Sequence, residues 1–414
     1  MPLRIGLDKL ASSQCEALRG KSIGVVCNQA SVDSAFRHIL EILQPGHVSG
    51  KFRINAVFGP QHGLFGTTQD NMIEWEGEGA DNLSFPVYSL YGEHREPTDS
   101  MLQNIDLLLI DLPDVGARYY TFIWTMSLVM KAAERLDIPI LVLDRPNPIT
   151  CKCEGPILEP EYASFVGLHP IPIRHGLTIG EMARHFQANF YPISKLEVVN
   201  MDNWDPSLYA DETEYAWAMP SPNMPTVNTA VVYPGACLLE GTNLSEGRGT
   251  TRPFEMIGAP WIDANLLAKE LNQSNLDGVY FRPIQFQPTF NKYEGQICNG
   301  IFTHVTNRQQ FDSILVYMTI IQKVIHQTGL NDASHVKLDR FKATSGETEL
   351  AGFAWKQPPY EYEFNKLPID ILLGNGSLRQ VLERQKPLTE LREMWQESAK
   401  GFHSGQKKRK IQVS

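Results

Sequence analysis

LLLIDLPDVGARYYTF, Leu107 to Phe122, joins a short apolar run, a polar turn punctuated by Pro113 and Gly116, and the opening of a long apolar helical face. A run this short and this apolar, closed by turn residues, reads as a strand buried on both faces of a parallel sheet. The helical pattern that follows, Tyr120 to Leu136, stops before Pro139 and reads as a crossover. Ile140 to Asp144 (ILVLD) then repeats the strand texture. Working back toward the N-terminus, Ile23 to Cys27 (IGVVC) and Ile54 to Phe58 (INAVF) are strands of the same kind, with Phe36 to Leu43 as a crossover helix. Toward the C-terminus, a helix over Gly180 to Asn189 precedes a strand at Leu196 to Val199. The pattern is that of an α/β protein with a Rossmann-like, doubly wound N-terminal domain.

Such sheets bind ligands outside the carboxyl ends of their strands, so the turns after the apolar runs carry the functional expectation. They are polar: GPQHG (Gly59 to Gly63), LPDVGARYYTF, and RPNPI (Arg145 to Ile149). Asn28 and Gln29 follow the first strand where a G-x-G-x-x-G would open a helix, so no nicotinamide or flavin cofactor is expected. His62 lies between glycines that allow close backbone approach; its imidazole either serves a ligand as donor and proton carrier or fixes its own loop. Asp111 and Asp114 flank Pro113, with Arg118, Tyr119 and Tyr120 close behind, a set that forms either an ion pair or a binding edge. Asp144, Arg145 and Asn147 sit in a turn stiffened by two prolines. Arg174 and His175 precede Thr178, a candidate N-cap with Glu181 at capping-box spacing.

From about Trp204 the texture changes, and MPSPNMPTVNT (Met219 to Thr229), which contains Asn223, reads as a join between domains over 1–215 and 216–414. The second domain mixes strands and helices. Helices are expected at Leu266 to Asn272, at Leu388 to Phe402, and along Phe311, Ile314, Leu315, Met318, Ile321 and Ile325, whose spacing marks a core face. Within it, CLLEGTNLSEGRGTTRPFE (Cys237 to Glu255) fits neither helical nor strand period. Its Glu240, Asn243, Glu246, Arg248, Arg252 and Glu255 form either a ligand-facing wall or a loop whose acids and bases pair with one another.

Composition narrows the function classes. A chain of 414 residues, 42% hydrophobic, buries a large core, and a formal charge of -10 with pI near 5.6 argues against nucleic acid or an anionic membrane surface as partner. The basic run Lys407 to Lys410 reads as a solvated tail. No signal-peptide-like or membrane-spanning apolar run is present, which gives a cytoplasmic expectation. Cys151 and Cys153 form C-x-C without a second ligand pair, so no metal site is expected. The sequence carries no signal for oligomeric state. Abundant carboxylates and amides, aromatics beside polar turns, and the absence of a G-x-S-x-G elbow favour carbohydrate hydrolysis over ester hydrolysis.

The succession FGPQHG, PVYSLYG, DVGARYYTF, VLDRPNPI, PIPIRHGLTIGE, PSPNMPT, YPGACLLEGTNLSEGRGTTRPFE, GAPWID and PYEYEFNKLPIDIL, running in order from Gly6 to about Leu373, resembles the exo-β-N-acetylmuramidase family, formerly a domain of unknown function. The resemblance implies a second α/β domain, an active-site cleft between the two, and release of N-acetylmuramic acid from the non-reducing ends of peptidoglycan fragments. A muramic-acid-containing saccharide is then the partner. The family usually carries glutamate, its proposed catalytic acid, where this chain has Gln61. An amide keeps the hydrogen-bonding shape but delivers no proton, so either Glu74 or Glu246 takes over the acid role or the protein is a silent or altered-specificity amino-sugar binder. Asp70 and Glu76 lie in the same segment as Glu74. Arg248 and Arg252 are expected to contact the lactyl carboxylate that distinguishes muramic acid. Asp114, Arg118, Tyr119, Arg145, Asn147, Arg174, His175, Asn223, Glu240 and Asn243 complete the expected substrate contacts, with Gln61 and His62 at the reacting bond.

Overall fold

The computed structural model describes residues 2–66, 73–74, 83–330 and 352–410. After α1 (Gly6–Ser12) the chain alternates β1 (Ser22–Cys27), α2 (Ile39–Val48), β2 (Arg53–Gly59), β3 (Val87–Ser89), β4 (Leu107–Asp111), α3 (Phe122–Arg135) and β5 (Ile140–Leu143). It then makes an antiparallel pair, β6 (Glu154–Ile157) and β7 (Pro172–Arg174), before α4 (Ile179–Asn189) and β8 (Leu196–Val199). Six of these strands form one parallel sheet in the order β3-β2-β1-β4-β5-β8. This is a doubly wound order, with β1 and β4 at the centre where the winding direction reverses. All five residues of β4 are buried, as an interior parallel strand requires. Val25, Cys27, Leu107, Leu109, Leu141 and Leu143 join Leu7, Ile39 and Leu43 in one core cluster.

The expected crossover at Phe36 to Leu43 begins later, at Ile39. The cause is local: Asp33 Oδ1 accepts from the backbone N–H groups of Ala35 and Arg37, both at 2.9 Å, winding a turn that leaves Phe36 64% exposed at φ +61°. His38 then caps the helix by accepting from the Leu40 N–H through Nδ1. At α4 the Thr178–Glu181 capping box forms as the spacing predicts.

The chain divides into two compact units interleaved in sequence: 1–116, 120–152 and 176–227 in the first, and 117–119, 153–175 and 228–414 in the second. The second contains α5 (Val227–Ala236), whose Val227 is assigned to the first unit, then β9 (Met256–Ala259), α6 (Ala264–Asn272), β10 (Val279–Phe286), β11 (Cys298–Val305) and α7 (Ser313–Thr328). It closes with α8 (Pro368–Leu373), α9 (Gly376–Glu383) and α10 (Leu388–Lys410). Its main sheet is antiparallel, in the order β10-β11-β9. On α7, Ile314, Met318, Ile321 and Ile325 are buried as expected, and Val316, Tyr317, Ile320 and Val324 widen the buried face, whereas Leu315, expected in the core, is only half-buried, as are Thr319 and Gln322 on its side of the helix. Among the described residues no helix is long and apolar enough to cross a membrane.

Candidate active site

In the first unit the polar turns gather at the carboxyl edge of the sheet. Asn28, the residue after β1, is fully buried; its Nδ2 donates to the Pro220 carbonyl at 2.8 Å and its Oδ1 accepts from the Ala30 N–H at 3.1 Å. Gln29 Nε2 donates to the Met219 carbonyl at 3.0 Å. The proline-rich segment is thereby tied across the switch point between β1 and β4 rather than left as a free linker. Tyr120, whose hydroxyl burial pushes up and interaction with the Ser221 side chain pulls down, is held against the same segment. Asn223 is buried two residues further on.

Gln61 and His62 follow β2, each 7% exposed. Gln61 Oε1 accepts from Thr121 Oγ1 at 2.6 Å, which links the β2 turn to the start of α3. His62 takes φ +69° and Gly63 +79°, a left-handed pair that for a histidine costs about 1 kcal/mol or more. Asp114 Oδ2 accepts from the Gly116 N–H at 2.8 Å, shaping the turn after β4.

Two other expected contacts in this unit brace the fold. Arg145, 1% exposed, grips Asp111 through Nε at 2.5 Å and Nη2 at 2.7 Å, and Nη2 also donates to the Val32 carbonyl at 2.9 Å. Asn147 Nδ2 donates to the Leu177 carbonyl at 3.0 Å while its Oδ1 accepts from the Ile149 N–H.

In the second unit the acids and bases of the Cys237–Glu255 stretch do pair with one another, but in the interior. The stretch opens with a 3₁₀ turn, Cys237–Gly241, that continues α5 and is wholly buried. This corrects the reading of that stretch as free of helical structure, because the tighter 3₁₀ turn repeats every three residues and leaves no amphipathic period over so short a run. Glu240 accepts from Arg248 Nη2 at 2.7 Å and from the Tyr360 hydroxyl at 2.8 Å. Burial opposes ionisation of Glu240, yet Arg248 and the Tyr360 hydroxyl outweigh it and hold the carboxyl below its ordinary range. Glu246 accepts from Arg248 Nε at 3.1 Å and from Lys292 Nζ at 3.0 Å. Lys292 also donates to the carbonyls of Leu239 and Leu244, both at 2.9 Å. Asn243 reads backbone alone, donating to the Gly352 carbonyl and accepting from the Ala354 N–H, both at 2.9 Å.

Arg252 differs: its side chain is 42% exposed and stands 3.7 Å from Glu255. Arg118 is fully buried and donates to three carbonyls, those of Pro156 and Ile171 at 3.0 Å and of Leu372 at 2.7 Å. Burial lowers its pKa to about 10. Tyr119 is buried edge-on to Tyr233 at 6.3 Å between centroids, Arg174 pairs with Glu154 at 2.5 Å, and His175 is fully buried.

Glu74 is exposed, and Asp70 and Glu76 lie outside the described residues. Lys292 and Tyr360, central to the Glu240–Glu246 network, were not singled out as site residues from the sequence, although Tyr360 lies in the motif PYEYEFNKLPIDIL, because each meets the network only through tertiary structure. Among the described residues no group of three or more His, Cys, Asp or Glu side chains is placed to hold a metal ion.

Residues 23–228 match the N-terminal domain, and residues 231–411 the C-terminal domain, of the family described as exo-beta-N-acetylmuramidase NamZ. The peptidoglycan beta-N-acetylmuramidase NamZ of Bacillus subtilis (strain 168) is 44% identical over 356 residues, which span 85% of this chain and 83% of that protein. Two crystal structures of DUF1343 family proteins from Bacteroides fragilis NCTC 9343 superpose with TM-scores of 0.81 and 0.70, at 29% and 26% identity, each covering 98% of both chains. With both domains matched in order and a relative this similar along most of its length, the chain belongs to the exo-β-N-acetylmuramidase NamZ family.

Proposed function

We infer that the protein is a glycoside hydrolase that releases N-acetylmuramic acid from the non-reducing end of peptidoglycan fragments. The observation that carries this is the 44% identity to the Bacillus subtilis peptidoglycan beta-N-acetylmuramidase across 85% of the chain. Glycosidic cleavage passes through an oxocarbenium-like transition state and needs a proton for the leaving oxygen. In this reading Gln61 and His62 flank the scissile bond from the β2 turn, with Gln61 orienting the sugar through its amide and His62 able to carry a proton. Glu74, exposed in the segment that follows, is the first candidate acid, and Glu246, whose two oxygens accept from Arg248 and Lys292, is the second. Asp114, Tyr119, His175, Asn223 and Arg252 are candidate substrate contacts. Arg118, Arg145, Asn147, Arg174, Asn243, Glu240 and Arg248 support the site by holding its loops, because their hydrogen-bonding groups are engaged with backbone or with buried counter-ions.

Purified protein incubated with a chromogenic β-N-acetylmuramide and, separately, the matching β-N-acetylglucosaminide tests this. Release from the muramide with little from the glucosaminide is expected. Release from neither overturns the proposal, and calorimetric binding of muramic acid without turnover would leave a sugar-binding protein instead.

A further inference from the structure

Three cations surround the Glu240–Glu246 pair in the second unit, and two of them are fully committed. Arg248 bonds both carboxylates, and Lys292 bonds Glu246 and two carbonyls. The third, Lys356, is placed by its backbone: its N–H donates to the Gly241 carbonyl at 2.9 Å, one residue beyond Glu240, and the neighbouring Trp355 bridges to Thr242. Its Nζ stands 5.3 Å from the centroid of the Tyr360 ring, the same tyrosine whose hydroxyl donates to Glu240.

Lys356 is half-buried, and among the described residues no carboxylate lies within ion-pair distance of its Nζ. Burial pulls its pKa down and Lys292 adds to that, against the pull of Glu240, Glu246 and Glu361. A lysine normally carries its ammonium out to water or to a counter-ion. Here an ammonium is held over an aromatic face, partly desolvated and short of a partner, which suits it to an incoming anion.

Resting on the muramidase reading above, we propose that Lys356, flanked by the Tyr360 ring, binds the carboxylate of the lactyl ether that distinguishes N-acetylmuramic acid from N-acetylglucosamine. Of the two contacts expected from sequence, Arg248 has its guanidinium enclosed between Glu240 and Glu246, and Arg252 stands 3.7 Å from Glu255. The missing anion is then supplied by the substrate, and selectivity arises from one charge-assisted contact rather than from the buried network.

Calorimetric titration of N-acetylmuramic acid and its uncharged methyl ester into wild type, Lys356→Met and Lys356→Arg tests the assignment. Wild type should favour the acid by about 10- to 100-fold, the span of one charge-assisted hydrogen bond. Lys356→Met should abolish that preference while leaving affinity for the ester nearly unchanged, and Lys356→Arg should keep most of it. A preference that survives in Lys356→Met, or an equal loss of acid and ester binding in a variant that still unfolds cooperatively, overturns it. If the Met variant does not fold, Lys356→Gln is read by the same criteria. Wild-type hydrolysis of the chromogenic muramide separates the two failures: with turnover intact, a preserved acid preference removes only the Lys356 assignment, whereas absence of both turnover and binding removes the muramidase reading with it.

Discussion

Gln61 shows how far a single side chain can be read. Its place after β2 and its amide chemistry are both evident in GPQHG, whereas its partner is not: Thr121, sixty positions away, donates to Oε1 at 2.6 Å. Because Oε1 accepts that hydroxyl, the amide is a positioned hydrogen-bonding group; on the proposed reading, the proton for the leaving oxygen comes from a carboxylic acid elsewhere. Gln61→Glu is therefore expected to leave muramide release similar or lower, since it sets a second carboxyl beside an existing acid. A rise of a hundredfold or more, within the ~10²- to 10⁴-fold typical of general acid catalysis, would show that the acid was missing. The same limit explains the other site expectations. Arg118, Arg145 and Asn243 look in sequence like ligand-binding groups, and nothing local reveals that their partners are the carbonyls of Pro156, Ile171 and Leu372, the Asp111 carboxylate with the Val32 carbonyl, and the Gly352 carbonyl. Donor and acceptor types are written in the sequence; the partner that satisfies them is set by tertiary contact.

The five expected strands of the parallel sheet reappear as β1, β2, β4, β5 and β8; β1, β4 and β5 were legible because a strand buried on both faces leaves little choice of residue, whereas β8, at the sheet edge, is only partly buried. The very short β3 and the β6–β7 pair escaped, since three or four residues carry too little periodicity to stand out. Asp144, just after β5, shows how an element junction is built. Its Oδ1 accepts from the Gly180 N–H in the first turn of α4 at 2.8 Å, and its carbonyl accepts from the Gly6 N–H at the start of α1 at 2.9 Å. Burial raises its pKa from 3.8 to about 6, against the bonds from Gly180 and Thr178. The folded state thus holds this proton more tightly than the unfolded chain. On this group's account stability is greatest below about pH 4, falls between pH 4 and 6, and stays lower above pH 6, by on the order of 3 kcal/mol in all. Asp144→Asn keeps the acceptor for Gly180 and removes the charge, so the variant should gain on wild type as pH rises from 4 to 7. Denaturant midpoints of both proteins across that range check this, and a difference that does not change with pH would refute the burial argument.

At the scale of the whole chain, the two units are not separable by one cut. Residues 117–119 and 153–175 precede the first unit's closing segment, 176–227, in sequence yet pack with 228–414. No composition change marks this, because β6 and β7 lie between α3 and α4 and read as another connection of the parallel sheet. Their role in the second unit is nonetheless structural: a Cβ on Gly155, at φ +85°, would stand 2.5 Å from Ile314 of α7, so the backbone of β6 lies directly on that helix. The Arg118 guanidinium ties β6 and the segment before β7 to α8 through the Pro156, Ile171 and Leu372 carbonyls. A fragment of residues 228–414 would lose all of these at once, uncovering apolar side chains on α7 and leaving the Leu372 carbonyl without its buried donor. Removing such a donor costs about 1–3 kcal/mol even before the lost apolar burial is counted. The fragment should therefore keep helical far-UV dichroism but lose near-UV signal and bind a hydrophobic dye, as a compact state without fixed packing does. Cooperative unfolding of that fragment with the midpoint of the full chain would mean that the second unit is complete without its interleaved strands.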